Sequence, residues 1–486
     1  MQQTFFSADG WESWGLDDRP VIPEGMPVLV DDDLLFEDGG VLRPTVAVNR
    51  WLSELPSSGC PSPRSWRYYA QVLRGWLEHL AAHGFGPFEE RTRLKAALSS
   101  YAVFRASGPL EQRIEATTWN QHMSILSGFY RWAVAEGVAS AEPFTYKQAQ
   151  TFYGDQVRER SVNLANRRTP KAHVTIKYLE DDFAELFLRA LAGLRPDGGE
   201  DEGFRGRETA RNAAVGRLAL STGLRRQEFT YLLTPEVPPL PPAPTALPIP
   251  FPVAAGITKG RKFRTTWIDY AALAEVHGYM DLFRPLSAEG SSWRPPARWG
   301  EPLVVTEADA RGGRVNGKRT QWASLRPVER RRLVAPDGGS MLLAVRHDGG
   351  PFTAWPTVFA RTSTRIRDRH EPRFPHVFAH RLRHSFAMRT LELLVGGYYT
   401  QAAKLVRDTD ADAALALYLS KADPLMVLRD LLGHSSVLVT ETYLRRLDMT
   451  RIYKDAYDRA ERLYDPAGRE AVAHEVDDEF DEDEEC

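Results

Sequence analysis

Four short segments of this 486-residue chain concentrate the side chains that can do chemistry: TGLRRQE at 222–228, TKGRKFR at 258–264, HRLRH at 380–384 and LGHSSVLVTETY at 432–443. A phosphodiester in reaction accumulates charge on its nonbridging oxygens, and two arginines with a nearby imidazole stabilise that charge without a metal. Arg225, Arg383 and His434 are the obvious set. Nothing resembles the carboxylate cluster of a two-metal nuclease, so a route through an amino-acid nucleophile, with neither metal nor cofactor, is the economical reading. Tyrosine is a weak nucleophile at its usual pKa of about 10, hence the value of dense positive charge around it. A leaving oxygen must be protonated, and Lys259, at a flexible glycine turn, can reach in as that general acid.

These residues need a scaffold, and the periodicity predicts a mainly α chain with a small β-hairpin. Trp66, Tyr69, Ala70, Leu73, Trp76, Leu77 and Leu80 recur at three and four residues, which predicts an amphipathic helix over 64–83. Met123, Leu126, Phe129, Tyr130 and Ala133 mark a second helix over 118–136, stopped at Gly137. With 93–104 between them they make a small helical domain over 55–145, preceded by an acidic leader, 1–54, read as disorder or an arm, and followed by a linker, 146–173. A second domain, 174–465, is expected to hold helices at 179–192, 210–222, 381–394, 424–432, 437–444 and 450–463. Its prolines at 235–250 leave an exposed connector, and 251–268, around Lys259 and Gly260, suits a hairpin. The Gly-, Pro- and Arg-rich 281–345 reads as irregular structure or an inserted subdomain, and an acidic tail, 466–486, ends the chain.

The formal net charge of −3 looks unpromising for a partner as acidic as DNA, but it averages over unlike segments. Residues 1–50 carry three arginines against ten acids, and 475–486 carry nine acids and no base. Removing those contributions of −7 and −9 leaves +13 for 51–474. Arginine supplies 52 of the 62 basic residues, a bias that fits either genome composition or the match of its planar fork to phosphate oxygens. Cys60 and Cys486 build neither a disulfide framework nor a thiolate metal site. No run approaches the roughly 18 apolar residues of a membrane span, and a cytoplasmic location is expected.

In its four segments the chain resembles the tyrosine recombinases, or phage-type integrases. That family is recognised by an arginine in a TGLRxxE segment, a hairpin lysine, an HxLRH box, and an LGH box followed nine residues later by a nucleophilic tyrosine. The matching positions are Arg225, Lys259, His380 with Arg383, His434, and Tyr443, in the family's order. TTWNQHMSILSGFYRWAVAEG at 117–137 is similar to the second half of the family's helical core-binding domain, so the resemblance covers about 55–465. It implies a recombinase catalytic fold preceded by an all-α, SAM-like core-binding domain. It also implies double-stranded DNA as partner, clamped between the two domains, and cleavage through a 3′-phosphotyrosine link. Four protomers would act on two DNA sites, with the helix 450–463 docking on a neighbour and an accessory DNA-bending protein as a possible partner.

Neighbouring residues compete for these roles. Lys262 and Arg261 are alternatives to Lys259, and Tyr453, Tyr457 and Tyr464 to Tyr443, although only Tyr443 keeps the nine-residue gap. His380 and Arg383, three apart, share one helix face. Arg226 and Glu228 are read as structural, Glu228 orienting an arginine, and His384 as packed or hydrogen bonded to backbone. The stretches near 281–345 and 395–422 are longer than the family requires and read as insertions. A type IB-like DNA topoisomerase and a catalytically silent DNA-binding regulator or architectural protein remain as alternatives.

Overall fold

Large apolar side chains at helical spacing build the core of the first of two units into which the chain divides, Met1–His173 and Val174–Cys486. The computed structural model describes residues 1–7, 22–60, 62–153, 156–168, 177–245, 247–408, 424–434, 440 and 443. In the first unit, helix Pro63–Ala82 opens with proline in its first turn, where the missing N–H costs nothing, and buries Trp66, Leu73, Trp76 and Leu80. Helix Ala116–Ala135 buries Met123, Leu126, Phe129 and Tyr130 against them, each large side chain contributing about 1.5–3 kcal/mol. A polar link across this core is satisfied: Trp76 Nε1 donates to the Tyr130 hydroxyl at 3.0 Å, which donates to the Pro87 carbonyl at 3.0 Å.

Two expectations for this unit need correction. The acidic leader is not a separate arm in its described part. Gln2–Phe5 pairs antiparallel with Pro27–Val30, and helix Pro44–Glu54 places Val48, Trp51 and Leu52 in the same core. Averaging the charge of 1–50 hid the apolar spacing at 48, 51 and 52. Trp11 and Trp14 lie outside the described residues. The supposed linker carries a β-hairpin, Tyr146–Tyr153 with Gln156–Asn163, in continuous register from Tyr146↔Asn163 to Tyr153↔Gln156. The hairpin lies outside 55–145, whose described elements are all helical.

In the second unit, helix Thr209–Thr222 is the hub. It packs on helices Asp181–Leu191, Tyr270–Gly278 and Ala379–Asp408 and on the strand Arg264–Ile268, which pairs antiparallel with Ile249–Val253. Helix Pro424–Leu432 lies against both Ala379–Asp408 and that strand. The stretch 281–345 is ordered: strands Lys318–Gln321, Gly312–Val315, Leu303–Ala308 and Leu333–Val334 form one sheet in that order, the last pair parallel. Val305, Trp322, Leu325 and Leu342 give it a core of its own, and Arg330 joins it to the helical body by donating to Glu236 at 2.5 and 2.7 Å. Helix Ala379–Asp408 runs past the expected end at 394 through much of the second supposed insertion. The expected helix 450–463 and the tail 466–486 lie outside the described residues, as does most of 437–444. Among the described residues no helix is long and apolar enough to cross a membrane.

Candidate active site

Helix Thr209–Thr222 stops at Gly223, whose φ of +62° is left-handed and whose Cβ, if present, would sit 2.3 Å from the Phe386 ring. The chain turns there and presents Arg225 as the N-cap residue of the short helix Arg226–Thr230. Glu228 reaches back, accepting the Arg225 backbone N–H at 2.7 Å and pairing with its guanidinium at 3.1 Å. The same fully buried carboxylate accepts from Arg264 Nη2 at 2.5 Å. One carboxylate thus fixes two arginines brought from different elements.

Helix Pro424–Leu432 supplies the other half of the frame. The last carbonyls of a helix have no partner within it and carry its negative dipole end. Here three guanidiniums take three successive carbonyls: Arg264 Nη1 that of Leu431 at 3.2 Å, Arg383 Nη2 that of Leu432, and Arg225 Nη2 that of Gly433 at 3.5 Å. Arg383, 1% exposed, also donates to the Gly223 carbonyl at 2.7 Å. Gly433 has φ +63°, and a Cβ there would lie 2.7 Å from Arg264 Cδ. The next residue is His434, whose Nδ1 lies 3.1 Å from Thr440 Oγ1. Tyr443, 3% exposed, places its hydroxyl 2.8 Å from His384 Nδ1, and His384 packs edge-on to His380 at 4.3 Å between centroids.

The balance of charge is positive. Among the described residues, Arg225, Arg264 and Arg383 face a single carboxylate, Glu228. Burial first, then Arg225 and Arg264, brings the Arg383 guanidinium down to about 9. Burial followed by the arginines lowers His434 to about 4, and burial followed by His380 and Arg383 lowers His384 to about 4, so both imidazoles are neutral at pH 7. Partial desolvation, then Arg383 and Arg225, lowers His380 as well. Burial raises the Tyr443 phenol to about 12, against the pull of Arg383 and Arg225. A surplus of fixed cations with neutral imidazoles, in a largely buried site, is suited to an anion whose charge grows during reaction.

No family model matches the chain, and no curated protein matches it. Among solved structures it is similar to XerH site-specific recombinase bound to difH substrate, at 15% identity over 86% of this chain and 90% of that one, with a TM-score of 0.43. It is also similar to the Tn1549 transposon integrase in complex with transposon right end DNA, at 12% identity over 82% and 94%, TM-score 0.45. For XerA recombinase the values are 15% over 84% and 95%, TM-score 0.31.

Of the residues singled out by sequence, Arg225, His380, Arg383, His434 and Tyr443 come together in this cluster. Lys259 does not join it: it lies exposed in the hairpin turn and makes no hydrogen bond or ion pair among the described residues. Its rivals Arg261 and Lys262 are exposed in the same turn, and Arg226 is exposed too. Glu228 orients not one arginine but two. His384 corrects the expectation of a packed or backbone-bonded residue, because its ring nitrogen meets the Tyr443 hydroxyl. Two contributors escaped the sequence reading, Arg264 and Thr440. Arg264 stood in plain view at the end of TKGRKFR, but only the burial of Glu228 reveals that this carboxylate needs a second cation. Tyr453, Tyr457 and Tyr464 lie outside the described residues.

Proposed function

We propose that the protein is a site-specific DNA recombinase of the tyrosine recombinase type, an enzyme that cleaves and rejoins duplex DNA without metal or cofactor. The observation that carries this reading is the Tyr443 hydroxyl held against a neutral imidazole, beside Arg383 and Arg225. In the proposed reaction the scissile phosphate occupies the anion site, its nonbridging oxygens facing Arg225, Arg383 and His434. With Thr440 donating to Nδ1 of His434, Nε2 carries the proton and donates to the phosphate. The Tyr443 oxygen forms a bond to phosphorus, its proton passing to His384, and the bond to the 5′ oxygen breaks. Lys259, on its exposed turn, swings in to protonate that oxygen. The 3′-phosphotyrosine link conserves the bond energy, and attack by a 5′-hydroxyl of a partner strand completes the exchange. His380 tunes the site through His384 and Arg383.

In this reading the helical part of the first unit, 55–145, is the SAM-like core-binding domain and 174–465 the catalytic domain. Arginines of both contact phosphates, so affinity falls by roughly 0.9 log units per phosphate for each tenfold rise in salt. Four protomers act on two duplex sites in the cytoplasm, with or without a DNA-bending partner. The test is strand transfer between two labelled duplexes carrying a cleavable site, in EDTA and without ATP. Joint molecules that require Tyr443 support the reading, whereas relaxation of supercoiled plasmid with no joint molecules assigns the topoisomerase alternative.

A further inference from the structure

Helix Thr209–Thr222 ends at the candidate active site and begins at a separate cavity of about 700 Å³. From Arg211 to Thr222 it rises roughly 17 Å, so the two places are distinct. Six arginines line the cavity: Arg205, Arg207, Arg211, Arg361, Arg365 and Arg369. Against them stand Asp368 on the wall, Asp201, which lies 3.3 Å from Arg369 and 3.8 Å from Arg365, and Glu208 beside Arg211. Positive charge is left over.

Its distribution points to a ligand. Arg207 and Arg361 are exposed, and neither side chain makes a hydrogen bond or ion pair among the described residues. Arg365 lies 4.0 Å over the Phe204 ring, which holds its planar fork rigid at the cavity wall. Arg211 is 4% exposed, stacks 3.7 Å over Phe352, and donates to the Val345 carbonyl at 2.8 Å and to Asn212 Oδ1 at 2.9 Å. No carboxylate among the described residues forms an ion pair with it. Its charge is met by neutral oxygens and, more distantly, by Glu208, and a buried cation paired in this way gains from an anion in the cavity.

We infer that this cavity is a second, non-catalytic site for a phosphate-bearing ligand of nucleotide size. Its volume falls within the roughly 300–1,000 Å³ of small-molecule sites, and forked guanidiniums match phosphate oxygens. The phosphate is that of a free polyphosphate or of a DNA backbone, and the inference does not depend on the recombinase reading.

The probe is inorganic tripolyphosphate, titrated by calorimetry into the full chain. Arg225→Gln weakens the competing anion site, and Arg207→Glu with Arg361→Glu is then added to that background, with thermal melting as the check on folding. Saturable binding by Arg225→Gln is expected, weakened at least about tenfold by the added pair, which removes two charge-assisted contacts and adds two like charges. No binding by Arg225→Gln, or binding indifferent to the added pair, overturns the site. A 20-base-pair duplex, added to the otherwise wild-type chain, separates the two sources. If the pair also weakens duplex binding and reduces its salt dependence, the phosphate belongs to DNA. If duplex binding is unchanged while tripolyphosphate is lost, the ligand is a free polyphosphate.

Discussion

The hydroxyl of Tyr443 and Nδ1 of His384 lie 2.8 Å apart, joined by a hydrogen bond between a phenol near 12 and an imidazole near 4. Moving the proton across that bond in the free protein is uphill by on the order of 10 kcal/mol. Besides burial, the charges that hold His384 down are those of His380, Arg383 and Arg381. A phosphate seated against Arg383 opposes them and raises the basicity of the imidazole. In the proposed reaction, substrate binding would therefore arm Tyr443, and water meeting an empty site would not find an activated tyrosinate.

His384→Ala is expected to slow formation of the covalent intermediate by roughly 10²- to 10⁴-fold, the range of a lost general base. Duplex affinity should stay near wild type, because phosphate contacts by the arginines remain. Single-turnover cleavage alongside a binding titration separates these effects. A loss of binding with an unchanged cleavage rate would show that the histidine serves packing alone.

Glu228→Gln keeps the shape of the side chain but removes the charge that holds Arg225 and Arg264. Breaking a buried ion pair at one partner typically costs about 3–5 kcal/mol, and urea unfolding should register a loss of that order. Glu236→Gln, which breaks the buried pair to Arg330 beside the four-stranded sheet, is the matched control. It should destabilise comparably while leaving the rate of cleavage by the folded fraction unchanged.

Gly433→Ala adds a methyl group in a left-handed residue, a backbone penalty of roughly 1–2 kcal/mol, and drives it against Arg264. His434 follows directly, so cleavage should fall more than stability does. Gly137→Ala, at φ +70° with no atom in reach of the new Cβ, supplies the comparison for the backbone term alone.

The helices of the first unit and the arginine, histidine and tyrosine boxes were legible because they rest on spacing, which is local. Trp66, Trp76, Phe129 and Tyr130 declare their burial by period. The leader did not, since clustered acids at 31–38 masked the stripe of Val48, Trp51 and Leu52. The inserted sheet was illegible for another reason: strands of two to six residues are too short for alternation to register. In the site, Arg264 and the Tyr443–His384 bond went unseen because both depend on contacts between elements far apart in sequence. The carbonyls of Leu431, Leu432 and Gly433, which gather the three arginines, have no side-chain signature at all.

Acid should destabilise the fold through its buried histidines. His79 and His122 are buried in the first unit, and burial holds both near 4, with His83 and Arg105 adding to the effect on His79 and Arg105 alone on His122. Unfolded histidine titrates near 6.5. Between those values the unfolded chain takes up protons that the folded one refuses, so stability falls as pH drops from about 6.5 towards 4 and is flat above 7. At pH 5 each histidine subtracts about 2 kcal/mol. Urea midpoints at pH 7 and pH 5 measure the sum together with the contributions of His384 and His434, which burial also holds near 4, and His122→Gln should flatten the slope.

The most direct measurement is covalent trapping on a library of nicked suicide duplexes in EDTA, comparing wild type with Tyr443→Phe on a denaturing gel and mapping the adduct by peptide mass spectrometry. The expected result is a DNA–protein adduct on Tyr443 that the phenylalanine variant, still binding duplex, does not form. An adduct that survives Tyr443→Phe, or maps to Tyr453 or Tyr457, would contradict the assignment of the nucleophile, and firm DNA binding with no adduct at all would contradict the proposed chemistry.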